Sequence, residues 1–293
     1  MKPIEGLYFK TKIATKKKLA MLIGRKFPKK FEKYLNNPVF LIGCGRSGTT
    51  MLRKILSTHQ DICSFSEANE IWDPEGYPWY ESNLNRPPIW YDSVEYIKRW
   101  RSYFNDNNKQ ELKGVFGLYQ YISRNKIFIN KSPINTFRII DILEIFPDSK
   151  FIHIYRDGRA VAYSWAIKQY NFIKKHEKVY RERGYYYSFN DLIRFTAKSW
   201  VSHIEEVEYQ KKNLKLLDKN IFLELSYEDF CEDPRKNIKN ICNYLSIKEE
   251  DLNLKNFKKV TNKNYKWKNN LNEDIILELN NIIMPILSKL YQK

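Results

Sequence analysis

The chain has 293 residues and a formal net charge of +17 at pH 7. It is long enough to bury a substantial core, and its charge favours acidic partners such as nucleotides, anionic glycans, nucleic acid or a membrane surface. Its four cysteines have neither the spacing of a metal site nor the framework of a secreted disulfide scaffold, so we expect reduced thiols.

The N-terminal residues 1–36 form a basic segment ahead of a domain that we place at residues 37–293. Residues 1–38 hold eleven Lys/Arg and two Glu, so nine of the seventeen net charges lie there. The longest apolar run, residues 19–24, is far below the roughly 20 residues that a bilayer requires and is too short for a signal-peptide core, so we expect a cytoplasmic protein.

Apolar side chains are interspersed with lysines in this segment: Leu19, Met21, Leu22, Ile23 and Phe27. The pattern is compatible with a short amphipathic helix that rests on anionic lipid, which would make the protein peripheral to a membrane. The alternatives are a solvated arm or a helix that packs on the domain.

The stretch from Val39 to Leu56 predicts a buried strand, a glycine-rich turn and an amphipathic helix. Residues 39–42 are continuously apolar, as in a parallel strand that is covered on both faces. The glycines that follow permit a tight turn that directs backbone N–H groups and the positive end of the helix dipole toward an anion. The alternative is a strand–helix turn without a ligand.

The spacing resembles the nucleotide-binding P-loop, with Gly43 and Gly48 in the glycine positions and Thr50 in the hydroxyl position. Thr49 replaces the lysine that reaches the outer phosphates in ATPases and kinases, which argues against transfer of a γ-phosphoryl group. The loop therefore suits a single phosphate better. A kinase or NTPase remains the enzymatic alternative.

The residues after this helix begin the side of the site that we assign to an acceptor. Glu67 and Glu70 lie there, three residues apart, and an aromatic-rich insertion follows at about residues 72–104. Aromatic walls with polar tips suit sugar rings, phenols or lipid-like molecules. The alternative is that these aromatic side chains bury a loop-rich cover over the sheet.

Further strands are predicted at residues 127–130, 151–155 and 221–225, with helices over 135–146, 191–217 and 234–245 and a helical or loop insertion over the site at 168–190. Lys131 and Arg156 then lie at strand ends, as Gly43 does. Ligands of open α/β sheets bind outside such carboxyl ends. We therefore predict one α/β domain of the P-loop type, a three-layer fold whose central parallel sheet is flanked by helices, with a single active site.

Residues 46–50, Arg-Ser-Gly-Thr-Thr, and the segment 151–165 together resemble the sulfotransferases that use 3′-phosphoadenosine 5′-phosphosulfate (PAPS). The second segment has an Arg at a strand end and a Ser eight residues later, as in that family's 3′-phosphate motif. The resemblance extends weakly over residues 37–270, and the stretch 263–268 resembles the family's C-terminal loop only faintly. The family resemblance implies that the following residues bind the donor: Arg46, Ser47, Gly48, Thr49, Thr50, Arg156, Ser164 and Tyr227.

The resemblance also implies an enzyme that moves the sulfuryl group from PAPS to a hydroxyl of a small molecule, glycan or lipid, leaving the bisphosphate PAP. Cytosolic sulfotransferases have a catalytic His where this chain has Pro133, whereas the tyrosylprotein branch has a Glu twenty-one residues after the loop Arg, which here is Glu67. Glu67 is thus the expected general base, with Glu70 as the alternative, and Arg46 and Lys131 are the expected catalytic cations.

No metal site is expected, because Arg and Lys can neutralise the single sulfuryl group that the donor transfers. No nucleic-acid partner is expected. Lys131 has an alternative interpretation as a surface cation. The alternative function from another class is a basic nucleic-acid- or membrane-binding module whose nucleotide loop is vestigial.

Overall fold

The computed structural model describes residues 13–36, 38–74, 93–249, 252 and 260–291. Within these residues, five strands form one sheet: β1 (Pro38–Ile42), β2 (Ile62–Ser66), β3 (Ile127–Lys131), β4 (Lys150–Tyr155) and β5 (Phe222–Ser226). The strands lie in the order β2-β3-β1-β4-β5, and every neighbouring pair is parallel. The predicted central parallel sheet is therefore confirmed.

Residues 13–19 are helical. The helices that follow are α1 (Pro28–Phe31), α2 (Thr49–Leu56), α3 (Asn69–Trp72), α4 (Ser93–Tyr103), α5 (Asp106–Ser123), α6 (Ile139–Ile145), α7 (Gly158–Lys175), α8 (Glu177–Glu182), α9 (Phe189–Asn213), α10 (Tyr227–Glu232), α11 (Pro234–Leu245), α12 (Tyr265–Lys268) and α13 (Glu273–Tyr291). A π-helical stretch covers Ala20–Gly24, and 3₁₀-helices cover Glu32–Tyr34 and Pro133–Phe137. No helix in the described ranges combines the length and apolar content of a membrane span.

The alternation of side chains along β1 produces the three layers. Phe40 and Ile42 pack into the apolar cluster that includes residues of α5, whereas Val39 and Leu41 pack on the opposite face with residues of α2 and α11. Successive side chains of a strand point to opposite faces, so a strand covered on both sides must be apolar throughout. This explains why all five residues of β1 are buried.

Two local predictions were wrong. The strand β2 was missed because its serines alternate with apolar residues, and this edge strand is only partly buried. The single helix predicted over 135–146 is divided at Arg138 into a 3₁₀-helix and α6. The polar stretch at 168–190, predicted as a helical or loop insertion, is helical for most of its length and comprises the end of α7, then α8.

The aromatic-rich insertion is a core element where the structure describes it. Trp72, Tyr96, Trp100 and Phe104 are almost fully buried in one apolar cluster. These four side chains are therefore packing residues and do not form an exposed wall for an acceptor. The tyrosines and tryptophans at positions 77–91 lie outside the described residues.

Candidate active site

Each strand of the sheet brings a candidate residue to the same edge. Glu67 follows β2 and Lys131 ends β3, while Arg156 and Tyr227 directly follow β4 and β5. The glycine-rich loop at 43–48 follows β1 in the middle of the sheet. Because parallel strands have their carboxyl ends on one side, these groups follow the strand order along one edge, with Glu67 and Lys131 on one side of the loop.

The backbone of the loop requires its glycines. Gly43 and Gly48 have φ angles of 135° and 101°. A Cβ atom on Gly43 would lie 2.2 Å from a backbone oxygen of β4, and one on Gly48 would lie 2.9 Å from the ring of Tyr227. A Cβ atom on Gly45, in contrast, would meet no described atom within 4 Å, so the loop borders open space at this point.

The start of α2 offers hydrogen-bond donors to a group in that space. The Ser47 side chain is fully buried, and its hydroxyl has no hydrogen-bond partner among the described residues. Thr49 and Thr50 begin the helix, where backbone N–H groups have no partner within the helix. A buried hydroxyl without a partner is costly, and a bound phosphate would accept from it and from the free N–H groups. The loop therefore fits a phosphate.

Arg46 connects the loop to the segment that follows β4. Its carbonyl oxygen accepts a hydrogen bond from Nη1 of Arg156 at 3.0 Å, and its own Nε donates to Oγ of Ser164 at 3.1 Å. Arg46 itself has a left-handed φ of 73°. Non-glycine residues adopt this conformation rarely, and the residues that do are frequently found at functional sites. The two motifs, about 110 residues apart in the sequence, thus meet in one site.

Arg156 is held from several sides. Its Nε donates to Oδ1 of Asn264 at 2.8 Å, and its guanidinium lies 4.3 Å from the centre of the Tyr227 ring. Asn264 in turn donates to Glu228, whose carboxylate also accepts from the hydroxyl of Tyr291 at 2.8 Å. Burial raises the pKa of Tyr227 to about 12, so this ring is a neutral platform. Sequence reasoning missed Asn264 and Glu228, because only folding brings them to Arg156.

If Arg156 binds the 3′-phosphate, as the family resemblance implies, Arg156→Ala should weaken PAP binding by roughly 1.5–3 kcal/mol, since a charge-assisted contact with a phosphate is lost. The melting temperature of the ligand-free protein should also fall, because the variant loses the bonds to Arg46 and Asn264. Asn264→Ala is the matched control: it removes one support of Arg156 and keeps the guanidinium. Calorimetric titration with PAP measures the binding affinity of both variants. Unchanged binding by Arg156→Ala would show that the 3′-phosphate motif is assigned wrongly.

Lys131 and Glu67 form an ion pair at the other side of the loop. The backbone N–H of Glu67 donates to the carbonyl oxygen of Lys131 at 2.8 Å, and the Lys131 ammonium donates to Oε1 of Glu67. Lys131 has a side chain only 3% exposed, whereas that of Glu67 is 52% exposed. Among the described residues, the second carboxylate oxygen of Glu67 accepts no hydrogen bond, so it is available to a ligand.

Several cations determine the ionisation of Glu67. Partial burial raises its pKa, but the charges of Lys131, Lys168 and Lys17 outweigh this effect and hold the pKa below its usual value. Burial also lowers the pKa of Lys131, although Glu67 opposes this change. Glu67 has a left-handed φ of 47°, a second strained backbone position in the site. Lys17 and Lys168 were not predicted, because neither belongs to a motif.

The fold and the loop together define a class of protein. A parallel sheet in this order, with a glycine-rich loop between its central strand and a helix, is a nucleotide-binding α/β fold of the P-loop type. The particular family follows from the sequence. The profile described as "Sulfotransferase family" matches residues 38–251, and the chain belongs to this family. The predicted family resemblance is confirmed, and the branch with a Glu base stays a prediction.

Curated relatives agree with this assignment. Omega-hydroxy-beta-dihydromenaquinone-9 sulfotransferase Stf3 of Mycobacterium tuberculosis is 29% identical over 264 residues, which cover 72% of this chain and 63% of that protein. The chain therefore spans somewhat less than two thirds of the length of this relative. An uncharacterized protein of Aquifex aeolicus is 26% identical over 246 residues, covering 81% of this chain and 28% of that protein.

Solved structures show the same fold. Sulfotransferase STF9 of Mycobacterium avium has a TM-score of 0.54 and 14% identity, with 87% of this chain and 76% of that chain covered. A sulfotransferase of Alicyclobacillus acidocaldarius has a TM-score of 0.50 and 15% identity, with 87% and 94% covered. At such low identity these similarities support the fold alone.

Proposed function

We propose that this protein transfers the sulfuryl group of PAPS to a hydroxyl of an acceptor by in-line displacement, with Glu67 as the general base. The observation that carries the proposal is the contact of Arg46 with both Arg156 and Ser164, which joins the two phosphate motifs in one site. Membership of the sulfotransferase family supports the same activity. PAPS supplies the activated sulfuryl group.

The residues divide into a donor half and an acceptor half. The N–H groups of the loop, with Ser47, Thr49 and Thr50, bind the 5′-phosphate end of the nucleotide. Arg156 and Ser164 bind its 3′-phosphate, and the Tyr227 ring contacts the adenine. This division follows the order of the strands along the sheet edge.

The acceptor half supplies the proton acceptor and positive charge. The free oxygen of Glu67 takes the proton of the acceptor hydroxyl, while the oxygen of that hydroxyl forms a bond to sulfur. The bond between sulfur and the phosphate oxygen breaks at the same time, and Lys131 and Arg46 neutralise the negative charge that develops on this oxygen. The ion pair of Lys131 with Glu67 supports the role of Glu67 as the base, because it keeps the carboxylate ionised.

The acceptor of this proposal is a hydroxyl on an apolar molecule. The name of the mycobacterial relative gives a hydroxylated dihydromenaquinone as the substrate of that protein, and we extend the same chemical class to this chain. The proposal also includes a cytoplasmic location in which the basic residues 1–36 contact an anionic membrane, supported by the exposed lysines among residues 13–36.

PAP is expected to raise the melting temperature of the protein by several degrees, and ATP much less. A ligand that binds only the native state at about 100 times its Kd stabilises it by about 2.7 kcal/mol. ATP lacks the 3′-phosphate that Arg156 and Ser164 are proposed to bind. Thermal unfolding in matched concentrations of PAP and ATP measures the difference.

Two results would favour the alternatives. Equal shifts with PAP and ATP would favour a kinase or NTPase. Binding to DNA that weakens with salt, without saturable binding of PAP, would favour a nucleic-acid-binding module with a vestigial loop.

A further inference from the structure

The N-terminal segment presents large apolar side chains to solvent. Leu19, Leu22, Ile23 and Phe27, which we name the N-terminal face, have exposed fractions of 41%, 73%, 36% and 50%. Leu19, Leu22 and Ile23 belong to the helical stretch that includes the π-helical turn Ala20–Gly24, and Phe27 lies at the bend that precedes α1. A cluster of this kind is unusual on a solvent-exposed surface and indicates an interaction site.

The opposite side of the segment is fixed to the domain. Ala20 and Gly24 are buried, and a Cβ atom on Gly24 would lie 2.7 Å from the backbone of Val115 in α5. Arg25 forms an ion pair with Glu111 of the same helix at 2.7 Å. The N-terminal face is therefore held in one orientation by the domain.

Positive charge surrounds the N-terminal face. Residues 13–36 contain eight Lys/Arg and one Glu, and the exposed lysines among them are Lys18, Lys26, Lys29, Lys30 and Lys33. Apolar side chains bordered by lysines complement a bilayer whose headgroups are anionic, because the apolar groups enter the interface while the ammonium groups bind phosphates. Neither a dry protein interface nor a nucleic acid matches both features as well.

The same segment reaches the acceptor half of the site. Lys17 lies less than one helical turn before Leu19, and its ammonium donates to the carbonyl oxygen of Ser66 at 3.2 Å. Ser66 ends β2, and Glu67 follows it directly. The Lys17 ammonium also lies 4.7 Å from the centre of the Phe65 ring. The helical stretch that carries the N-terminal face thus contacts, through Lys17, the residue that directly precedes the proposed general base.

We infer that the N-terminal face docks on the surface of an anionic membrane, and that the acceptor reaches Glu67 from this surface. The first part stands on the exposed side chains and charges alone. The second part rests on the proposed function. The proposed transfer chemistry does not require the basic segment, and docking on a membrane gives this segment a role.

Vesicle binding tests the docking surface directly. The full chain is mixed with vesicles of phosphatidylcholine and phosphatidylglycerol, or of phosphatidylcholine alone, and the bound fraction is measured by flotation. We expect binding to the anionic vesicles that weakens with salt. The double variant Leu22→Gln/Phe27→Gln should bind at least roughly tenfold more weakly, because two side chains no longer enter the interface. The matched control Leu217→Gln/Leu277→Gln, at residues 58% and 63% exposed, should bind like the wild type.

The other outcomes overturn the inference. These are the absence of vesicle binding, equal binding by the wild type and Leu22→Gln/Phe27→Gln, and equal losses in both double variants. A dimer in sedimentation that this variant abolishes, without vesicle binding by the wild type, would assign the N-terminal face to a second copy of the chain. The PAP-induced melting shift should be the same in the variant and the wild type. If that shift is absent from both, the proposed function fails while the vesicle result still decides the docking.

Discussion

Replacing Glu67 with Gln is expected to lower sulfuryl transfer by roughly 100-fold or more while PAP binding stays close to that of the wild type. Gln keeps the shape of the side chain and can still contact Lys131, but it cannot take the proton of the acceptor hydroxyl. The measurement is single-turnover transfer from sulfur-labelled PAPS to an acceptor identified in an extract of the source organism. PAP binding is compared by the melting shift.

Glu70→Gln is the matched control, because Glu70 is an exposed carboxylate in α3 only three residues after Glu67. It should transfer at the rate of the wild type. Full activity of Glu67→Gln combined with loss in Glu70→Gln would move the role of the base to Glu70. Full activity of both variants would remove a carboxylate base from the mechanism.

The pH dependence of the transfer rate is an independent test of Glu67 as the general base. Partial burial of Glu67 opposes ionisation, but Lys131 and the neighbouring lysines hold its pKa below the usual value of a Glu. The carboxylate is therefore fully ionised at neutral pH, and transfer should decline only as the pH falls through this lowered pKa. The acidic limb of the rate profile should accordingly lie below the range of an ordinary Glu, and be absent in Glu67→Gln.

Sequence reasoning predicted the middle of the sheet correctly because its signals are local. The continuous apolar run of β1, the glycines after it and the Arg after β4 each act within a few residues of the chain. Strand β2 escaped prediction because its polar residues belong to an edge strand that is covered incompletely.

The residues that support the site could not be found in this way. Asn264 contacts Arg156 across 108 positions of the sequence, and Lys17 contacts Ser66 across 49 positions. Both side chains are common in surface segments, and no spacing relates either of them to its partner. Only the packed structure reveals such contacts.

The aromatic-rich insertion shows how composition alone can mislead. Its tryptophans and tyrosines suggested a wall for an acceptor, but Trp72, Tyr96 and Trp100 surround the guanidinium of Arg138, with ring centres 5.1, 5.2 and 4.6 Å away. The partner of that buried cation is Asp73, which sequence reasoning did not single out. This pair connects the segment after Glu67 to the segment after Lys131.

Asp73→Ala is expected to destabilise the protein by about 3–5 kcal/mol, the usual cost of removing one partner of a buried ion pair. Both side chains are fully buried, and Nη2 of Arg138 donates to the two oxygens of Asp73 at 2.8 and 2.9 Å. The hydroxyl of Tyr96 also donates to Asp73 at 3.0 Å. The variant removes both hydrogen bonds that this carboxylate accepts from the buried guanidinium, and urea unfolding measures the loss.

Asp141→Ala is the control for this prediction. Asp141 pairs with Arg101 at 2.7 Å, but the Arg101 side chain is 49% exposed, so water can solvate it once the carboxylate is gone. The expected loss is about 1 kcal/mol or less. Because the cost of Asp73→Ala comes from removing the buried carboxylate that faces the guanidinium, adding Arg138→Met should recover part of the stability. Equal losses in the two Asp variants, or no recovery in the double variant, would contradict the cost assigned to breaking the buried ion pair.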